Sequence, residues 1–390
     1  MKLLLGGVPL GCDNIGDEAI IACVVKLIRS LVPDAELTVC TRDRDNTARL
    51  LAVQTAPLYG FPPDVRLDEF QQFVSSFDAY IWFGATGLSD YPDTALPLLA
   101  KAQAVGVKTI VWCVGMDDEL NPAFFKVQGK RQKLLRLLSA MTLGCFDAVA
   151  WWEARLRQKV RQRICQTLSR CKLIAVRDPE SAHELAKCGL DKVVVAADTA
   201  ILQETSSVLP LPAIPDARRI GFCISAQREL QQKGELLGLW SRLLELPQVR
   251  LVLIPMNPKT DRKLMGDLAA ELPAQDRIDI LDSDVPAVVQ ACASQCRIIV
   301  SSRLHLLILA SNVHTLVLGI ERGSKIRNWL ANFHDIPAGT VRHCDFNLMY
   351  QRILACLDSP PPEESLAATM LSLRQRLDQA AAALKSALLD

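Results

Sequence analysis

Short β-rich apolar runs alternate with longer stretches of helical period along most of the chain. Residues 3–5 lead into a glycine-bearing loop and a helix over 17–31. Runs at 36–40, 79–83, 109–114, 173–176 and 193–196 read as strands, with helical segments such as 94–105 and 179–188 between them. Strand, helix, strand in this rhythm predicts a parallel sheet covered on both faces. The stretch 203–219 holds Ser206, Ser207, Pro210, Pro212 and Pro215 with little periodicity, as an interdomain linker does. The alternation restarts with strands at 220–224, 249–254, 278–281, 298–300 and 315–318, and helices around 229–246, 261–272, 285–293 and 304–311. Ser359-Pro360-Pro361-Pro362 precedes an amphipathic helix over 364–389. The fold class predicted is α/β, with two Rossmann-like domains facing across a cleft and a bracing C-terminal helix. The boundaries are 1–203 for the first domain, 204–219 for a linker, 220–358 for the second domain, and 359–390 for the proline-rich turn and terminal helix.

Composition narrows the class. The 390 residues are 50% hydrophobic and 22% charged, which excludes wholesale disorder. With 44 Lys+Arg against 43 Asp+Glu the net charge is +1, so a generic nucleic-acid partner is not expected. Membrane helices need about 18–20 apolar residues; the nearest run, 134–152, is interrupted by Arg136 and Asp147. The opening Met1-Lys2-Leu3-Leu4-Leu5 runs into Gly6 and Gly7 and reads as a first strand rather than a signal peptide. The 13 cysteines are scattered, mostly in apolar surroundings, with no CxxC pair. Reduced thiols of a cytoplasmic protein are expected, and the lone pair Cys292 and Cys296 does not make a structural zinc site.

Four loops at predicted strand ends carry the candidate chemistry. Asn14-Ile15-Gly16-Asp17-Glu18 opens the first helix. Asp17 there reads as a cap of the helix and Glu18 as a complement to its dipole, in a glycine-bearing loop at a strand's carboxyl end, where open α/β sheets bind ligands. Phe83-Gly84-Ala85-Thr86-Gly87-Leu88-Ser89-Asp90 follows a strand, as an anion-binding nest or a plain turn. Arg177 ends a strand before Asp178, which reads as the cap of the next helix with Pro179 at its first position. No local structural duty for Arg177 is apparent, and a cleft-facing position is expected. Ser301-Ser302-Arg303-Leu304-His305 joins a strand to a helix N-terminus and pairs an anion-binding cation with a titratable group. Arg322 and Lys325 add two cations to the same rim.

Together, Asn14-Ile15-Gly16-Asp17-Glu18-Ala19, the glycine turn ending in Asp90, Val176-Arg177-Asp178, Ala197-Asp198-Thr199-Ala200 and Ser302-Arg303-Leu304-His305 resemble the polysaccharide pyruvyl transferase family, in order and spacing, from about residue 3 to residue 333. The resemblance implies a fold similar to the GT-B glycosyltransferases. It implies transfer of the enolpyruvyl unit of phosphoenolpyruvate to a glycan or lipid-linked saccharide acceptor, leaving a pyruvate ketal on a cell-surface polymer or its precursor. It places the acceptor on the first domain and phosphoenolpyruvate on the second, with Arg177, Arg303 and His305 holding the donor. Asp17 and Glu18 are then the acid/base candidates. Asn14, Gly16, Gly87, Asp90, Asp198, Leu304 and Lys325 complete the substrate-binding set, and neither metal nor cofactor is implied. Ala85 and Thr86 interrupt what is usually a run of glycines in the family. The alternatives are a nucleotide-sugar glycosyltransferase and a catalytically silent glycan-binding scaffold.

One segment stands apart. Residues 126–172 hold 12 Lys/Arg against Asp147 and Glu153, with Trp151 and Trp152 beside Arg155, Arg157 and Arg161. Such a mixture suits peripheral association with an anionic membrane surface, at its inner face, or else a solvated basic helix.

Overall fold

The computed structural model describes residues 1–63, 65–142, 145–227, 230–359 and 363–390. Glu229, where the sequence pattern begins a helix, and Pro360–Pro362 of the expected turn lie outside the described residues. Among the described residues twelve strands occur: β1 (Lys2–Gly6), β2 (Glu36–Thr41), β3 (Gln54–Pro57), β4 (Ala79–Phe83), β5 (Lys108–Val114), β6 (Leu173–Val176), β7 (Val194–Val195), β8 (Arg218–Cys223), β9 (Val249–Leu253), β10 (Ile278–Ile280), β11 (Ile298–Ser301) and β12 (Leu316–Gly319). The chain divides into two compact units, residues 1–8 with 59–195, and residues 9–58 with 196–390.

In the first unit β1 pairs with β4, β4 with β5, β5 with β6 and β6 with β7, all parallel. Every residue of β4 is buried, as parallel strands covered on both faces require. Phe70, from the helix Leu67–Val74, meets Tyr80 of β4 edge-on with centroids 5.3 Å apart. The β5–β6 register shifts between Val111 and Val114, where Cys113 takes φ +51°. This bulge re-aims the carboxyl end of β5, as bulges beside functional loops do.

In the second unit β2 pairs with β3, and five parallel strands run in the order β10-β9-β8-β11-β12. From β8 the chain winds outward to β9 and β10, then returns to β11 and β12 on the other side. The reversal falls between β8 and β11, whose carboxyl ends therefore flank the crevice where open α/β sheets bind ligands. One face is sealed by Ile220, Phe222, Leu251 and Val300 packed with Trp240 and Leu243 of the helix Lys233–Glu245 and Met349 of the helix Phe346–Asp358. Each such side chain stabilises the unit by about 1.5–3 kcal/mol on burial.

The helices Ile15–Leu31, Pro286–Ser294 and Leu304–Asn312 pack on one another. Ile20, Ile21, Val24, Val25 and Ile28 give the first of these its buried stripe. Its first N–H, from Ile15, donates to Met256 O just past β9 (3.1 Å), which pins the helix start at the crevice. The terminal helix Glu363–Leu389 packs on helices Ile15–Leu31 and Leu304–Asn312 and on the turn Thr199–Leu202 through Leu373, Leu377, Leu384 and neighbours. The expected linker is irregular up to β8, and Gln295 clamps Leu211 N and O at 3.1 Å each. β3 escaped the sequence pattern because Gln54-Thr55-Ala56-Pro57 is short, ends in proline and is only half buried.

Candidate functional site

Three helices of the second unit, Ile15–Leu31, Leu304–Asn312 and Ser324–Ala331, begin around the carboxyl ends of β9, β11 and β12. Their N-termini present partial positive charge to this rim. Asn14 caps the first, its Oδ1 accepting from Gly16 N (3.3 Å) while its Nδ2 donates to Asp17 Oδ2 (2.7 Å). Asp17 is buried, and burial pushes its carboxyl above the ordinary range; His305, Asn14, Lys325 and Arg303 work against that shift. Glu18 Oε1 accepts from Gly11 N (3.0 Å). Burial raises Glu18 to about 7; the Gly11 hydrogen bond opposes the rise, and Asp17, Asp43 and Asp284 add to it.

His305 sits in the first turn of Leu304–Asn312 with its imidazole on the bare Cα of Gly16. A Cβ at residue 16 would lie 2.2 Å from Nδ1. The glycine of the motif thus makes room for the histidine. Nε2 of His305 lies 3.6 Å from Asp198 Oδ2, beyond hydrogen-bond reach, and is buried without a hydrogen-bond partner among the described residues. Asp198 Oδ1 accepts from Ala200 N (3.0 Å) at the start of the turn Thr199–Leu202. A buried, unsatisfied ring nitrogen is costly unless a ligand completes it.

Arg303 departs from expectation. Instead of a free cationic clamp, its Nε and one terminal nitrogen grip Asp261 at 3.0 and 2.8 Å, the other terminal nitrogen reaching Gln227 Oε1 (3.3 Å). Asp261 is wholly buried and also accepts from Ala226 N (2.9 Å) and Asn257 N (3.0 Å). Arg322 donates to Ser225 Oγ (2.9 Å) and shares Gln227 Oε1 (3.3 Å). Ser302 Oγ accepts from Ser225 N (2.9 Å), tying the ends of β8 and β11 together. Leu304 is buried, so it offers the site only its main-chain N–H. Lys325 lies in the first turn of Ser324–Ala331, close enough for its charge to act on Asp17.

The other predicted residues, Arg177, Gly87 and Asp90, belong to the first unit. Arg177 has the local duty that its sequence neighbourhood did not disclose. It is buried, its Nε donates to Asp178 Oδ2 (3.2 Å), and its guanidinium lies on Gly115, where a Cβ would approach Cζ to 2.5 Å. Asp178 is the helix cap, Oδ1 accepting from Ser181 N (2.7 Å), and Ser181 Oγ accepts in turn from Met116 N (2.9 Å). At Gly87 the space for a side chain is taken by Trp82 and Tyr91, 2.5 and 2.7 Å from a would-be Cβ. The Asp90 carboxylate accepts from Thr86 Oγ1 and its carbonyl from Asn121 Nδ2 (2.9 Å). Thr86, which interrupts the glycine run, therefore ties the turn. Ala85 beside it takes φ +58°, a conformation that favours glycine.

Asp261, Gln227, Ser225 and Gly115 were not singled out from the sequence. The signal available for Asp261 was its place in the first turn of the helix that follows β9. Among the described residues no group of three or more His, Cys, Asp or Glu is arranged to hold a metal, and all 13 cysteines are free thiols.

The family model described as "Polysaccharide pyruvyl transferase" matches residues 14–324. No curated protein matches the chain. Among solved structures it resembles a putative UDP-N-acetylglucosamine 2-epimerase from Listeria monocytogenes, with TM-score 0.61, 10% identity, and 94% of this chain and 90% of that one covered. It also resembles the UDP-GlcNAc 2-epimerase of Neisseria meningitidis bound to UDP-GlcNAc, with TM-score 0.60, 14% identity and coverage of 98% and 99%. The glycotransferase of kitacinnamycin scores 0.61 at 10% identity, with 99% and 98% covered. At such identities the likeness is one of fold, and the fold is GT-B-like.

Proposed function

The chain belongs to the polysaccharide pyruvyl transferase family, and on that premise we propose that it moves the enolpyruvyl unit of phosphoenolpyruvate onto two hydroxyls of a glycan or lipid-linked saccharide, forming a cyclic pyruvate ketal. The methylene carbon takes a proton and a sugar hydroxyl adds to the carbon bearing phosphate. The C–O bond to phosphate then breaks and the second hydroxyl closes the ring. The two hydroxyl protons end on the new methyl group and on the released phosphate, so atoms and charge balance.

The observation that carries this reading is the buried Nε2 of His305, without a hydrogen-bond partner among the described residues and set among Asp198, Asp17 and three helix N-termini. We assign His305 to the phosphate and to the proton delivered to carbon. Glu18, raised to about 7, is poised to take a hydroxyl proton near neutrality, whereas Asp17 is fixed by Asn14 and serves to hold the imidazole. Since Asp261 balances Arg303, the substrate anion is met by the outer guanidinium edge now on Gln227, by Lys325 and by the N-terminus of Leu304–Asn312. Arg177, in the first unit, is committed to Asp178 and packed on Gly115, and it is given no contact with the donor. Phosphate release from phosphoenolpyruvate, measured across a panel of saccharide acceptors, tests the assignment. His305→Ala is expected to lower it by about 10²–10⁴-fold. Release at the wild-type rate by that variant refutes it.

A further inference from the structure

The helix Gly129–Met141 wears its apolar stripe on the outside. Leu134, Leu137, Leu138 and Met141 recur at i, i+3, i+4 and i+7, the spacing by which helices bury one face. Yet they are 59%, 60%, 43% and 75% exposed, and no residue of the helix is buried. The neighbouring helix Ala148–Leu168 is met on the other side, where Ser139 Oγ accepts from Ala148 N (2.9 Å). Just past the stripe, exposed Phe146 and Trp151 stand with ring centroids 6.1 Å apart, and the Arg155 guanidinium lies 5.7 Å from the Trp151 ring.

Cations frame this surface. At about 100° per residue, Arg131 and Lys133 fall on opposite flanks of the stripe. The 12 Lys/Arg against two acids between residues 126 and 172 sit in a chain whose net charge is only +1. In the second helix Arg161 and Arg163 are committed to Glu184 and Asp93 and Arg157 lies over the Phe125 ring, while Arg155 stands on Trp151 at the aromatic end of the stripe.

We propose that this helix pair is a docking surface for a membrane bearing anionic phospholipid. The leucines and Met141 enter the acyl boundary while the flanking Lys and Arg reach phosphate. A second copy of the chain would bring the same positive charge to the contact, and nucleic acid has no use for the leucine stripe. The inference does not depend on phosphoenolpyruvate being the donor.

Flotation of the full chain with vesicles decides it. Vesicles of phosphatidylcholine with phosphatidylglycerol as about one-third of the lipid should carry the protein up, and pure phosphatidylcholine vesicles should not. At about five-fold per basic residue, Lys130→Glu/Arg131→Glu/Lys133→Glu should weaken binding roughly 100-fold. Leu137→Ser/Met141→Ser should weaken it about ten-fold or more while leaving the circular dichroism spectrum unchanged. Failure of the wild-type chain to bind the anionic vesicles, or equal binding to both compositions, overturns the proposal. So does a dimer in sedimentation velocity that Leu137→Ser/Met141→Ser dissolves while vesicle binding is unaffected.

Discussion

Arg303→Ala removes two of the four N–H donors that, among the described residues, hold the Asp261 carboxylate, those at 2.8 and 3.0 Å, and leaves the backbone donors of Ala226 and Asn257. Asp261 has no solvent exposure, so the charge left behind cannot hydrate. Breaking a buried pair from one side costs about 3–5 kcal/mol. The surviving charged hydrogen bonds place the expected loss at the lower end, about 3 kcal/mol. Urea unfolding followed by circular dichroism reads it as a shift in midpoint at constant slope. Asp261→Asn removes the charge rather than its partner, so the double variant Asp261→Asn/Arg303→Ala should recover at least about 1 kcal/mol of that loss. A loss below about 1 kcal/mol for Arg303→Ala alone refutes the reading of this pair as structural. The outcome also governs the kinetics, because only an activity loss in Arg303→Ala that exceeds that of Asp261→Asn belongs to the substrate.

Gly16→Ala puts a methyl group 2.2 Å from His305 Nδ1; it should cost about 1–3 kcal/mol by overpacking and lower phosphate release at least about ten-fold, and full activity with an unmoved imidazole contradicts the contact. Glu18, with a folded-state value near 7 against 4.5 for the ordinary group, should give a rate that rises with pH through about 7, and Glu18→Gln should lose that limb. Because the folded chain keeps this proton longer than the unfolded one, the stability it contributes is fully present below about pH 4.5 and lost as pH rises through 7. A stability profile for Glu18→Gln parallel to the wild type between those values would count against it. Ala85→Gly relieves a left-handed residue at φ +58° and should raise stability by up to about 1 kcal/mol, seen as a higher melting midpoint; a lower midpoint contradicts the strain.

The two α/β sheets were legible because parallel strands buried on both faces leave apolar runs such as 79–83 and 298–300 between helical periods. The site was legible in part. Asp17, Glu18, Asp198, Arg303 and His305 all stand at strand ends or helix starts, where chain direction alone predicts ligand contact. What stayed hidden is pairing. Asp261 reaches Arg303 across 42 residues, and no local pattern marks a carboxylate as a buried partner rather than a cap. The sequence shows no local duty for Arg177 although its partner is the next residue, because Asp178 serves as cap through one oxygen and as counter-ion through the other. The helix Gly129–Met141 misleads in the opposite sense: its periodicity says core, and its stripe faces solvent.

Isothermal titration of the wild-type chain with phosphoenolpyruvate, beside a nucleoside diphosphate, tests the donor directly and needs no acceptor. Saturable binding of phosphoenolpyruvate that His305→Ala weakens at least about ten-fold, with no heat from the nucleotide, is the result expected. Binding of the nucleotide with none of phosphoenolpyruvate would contradict the account.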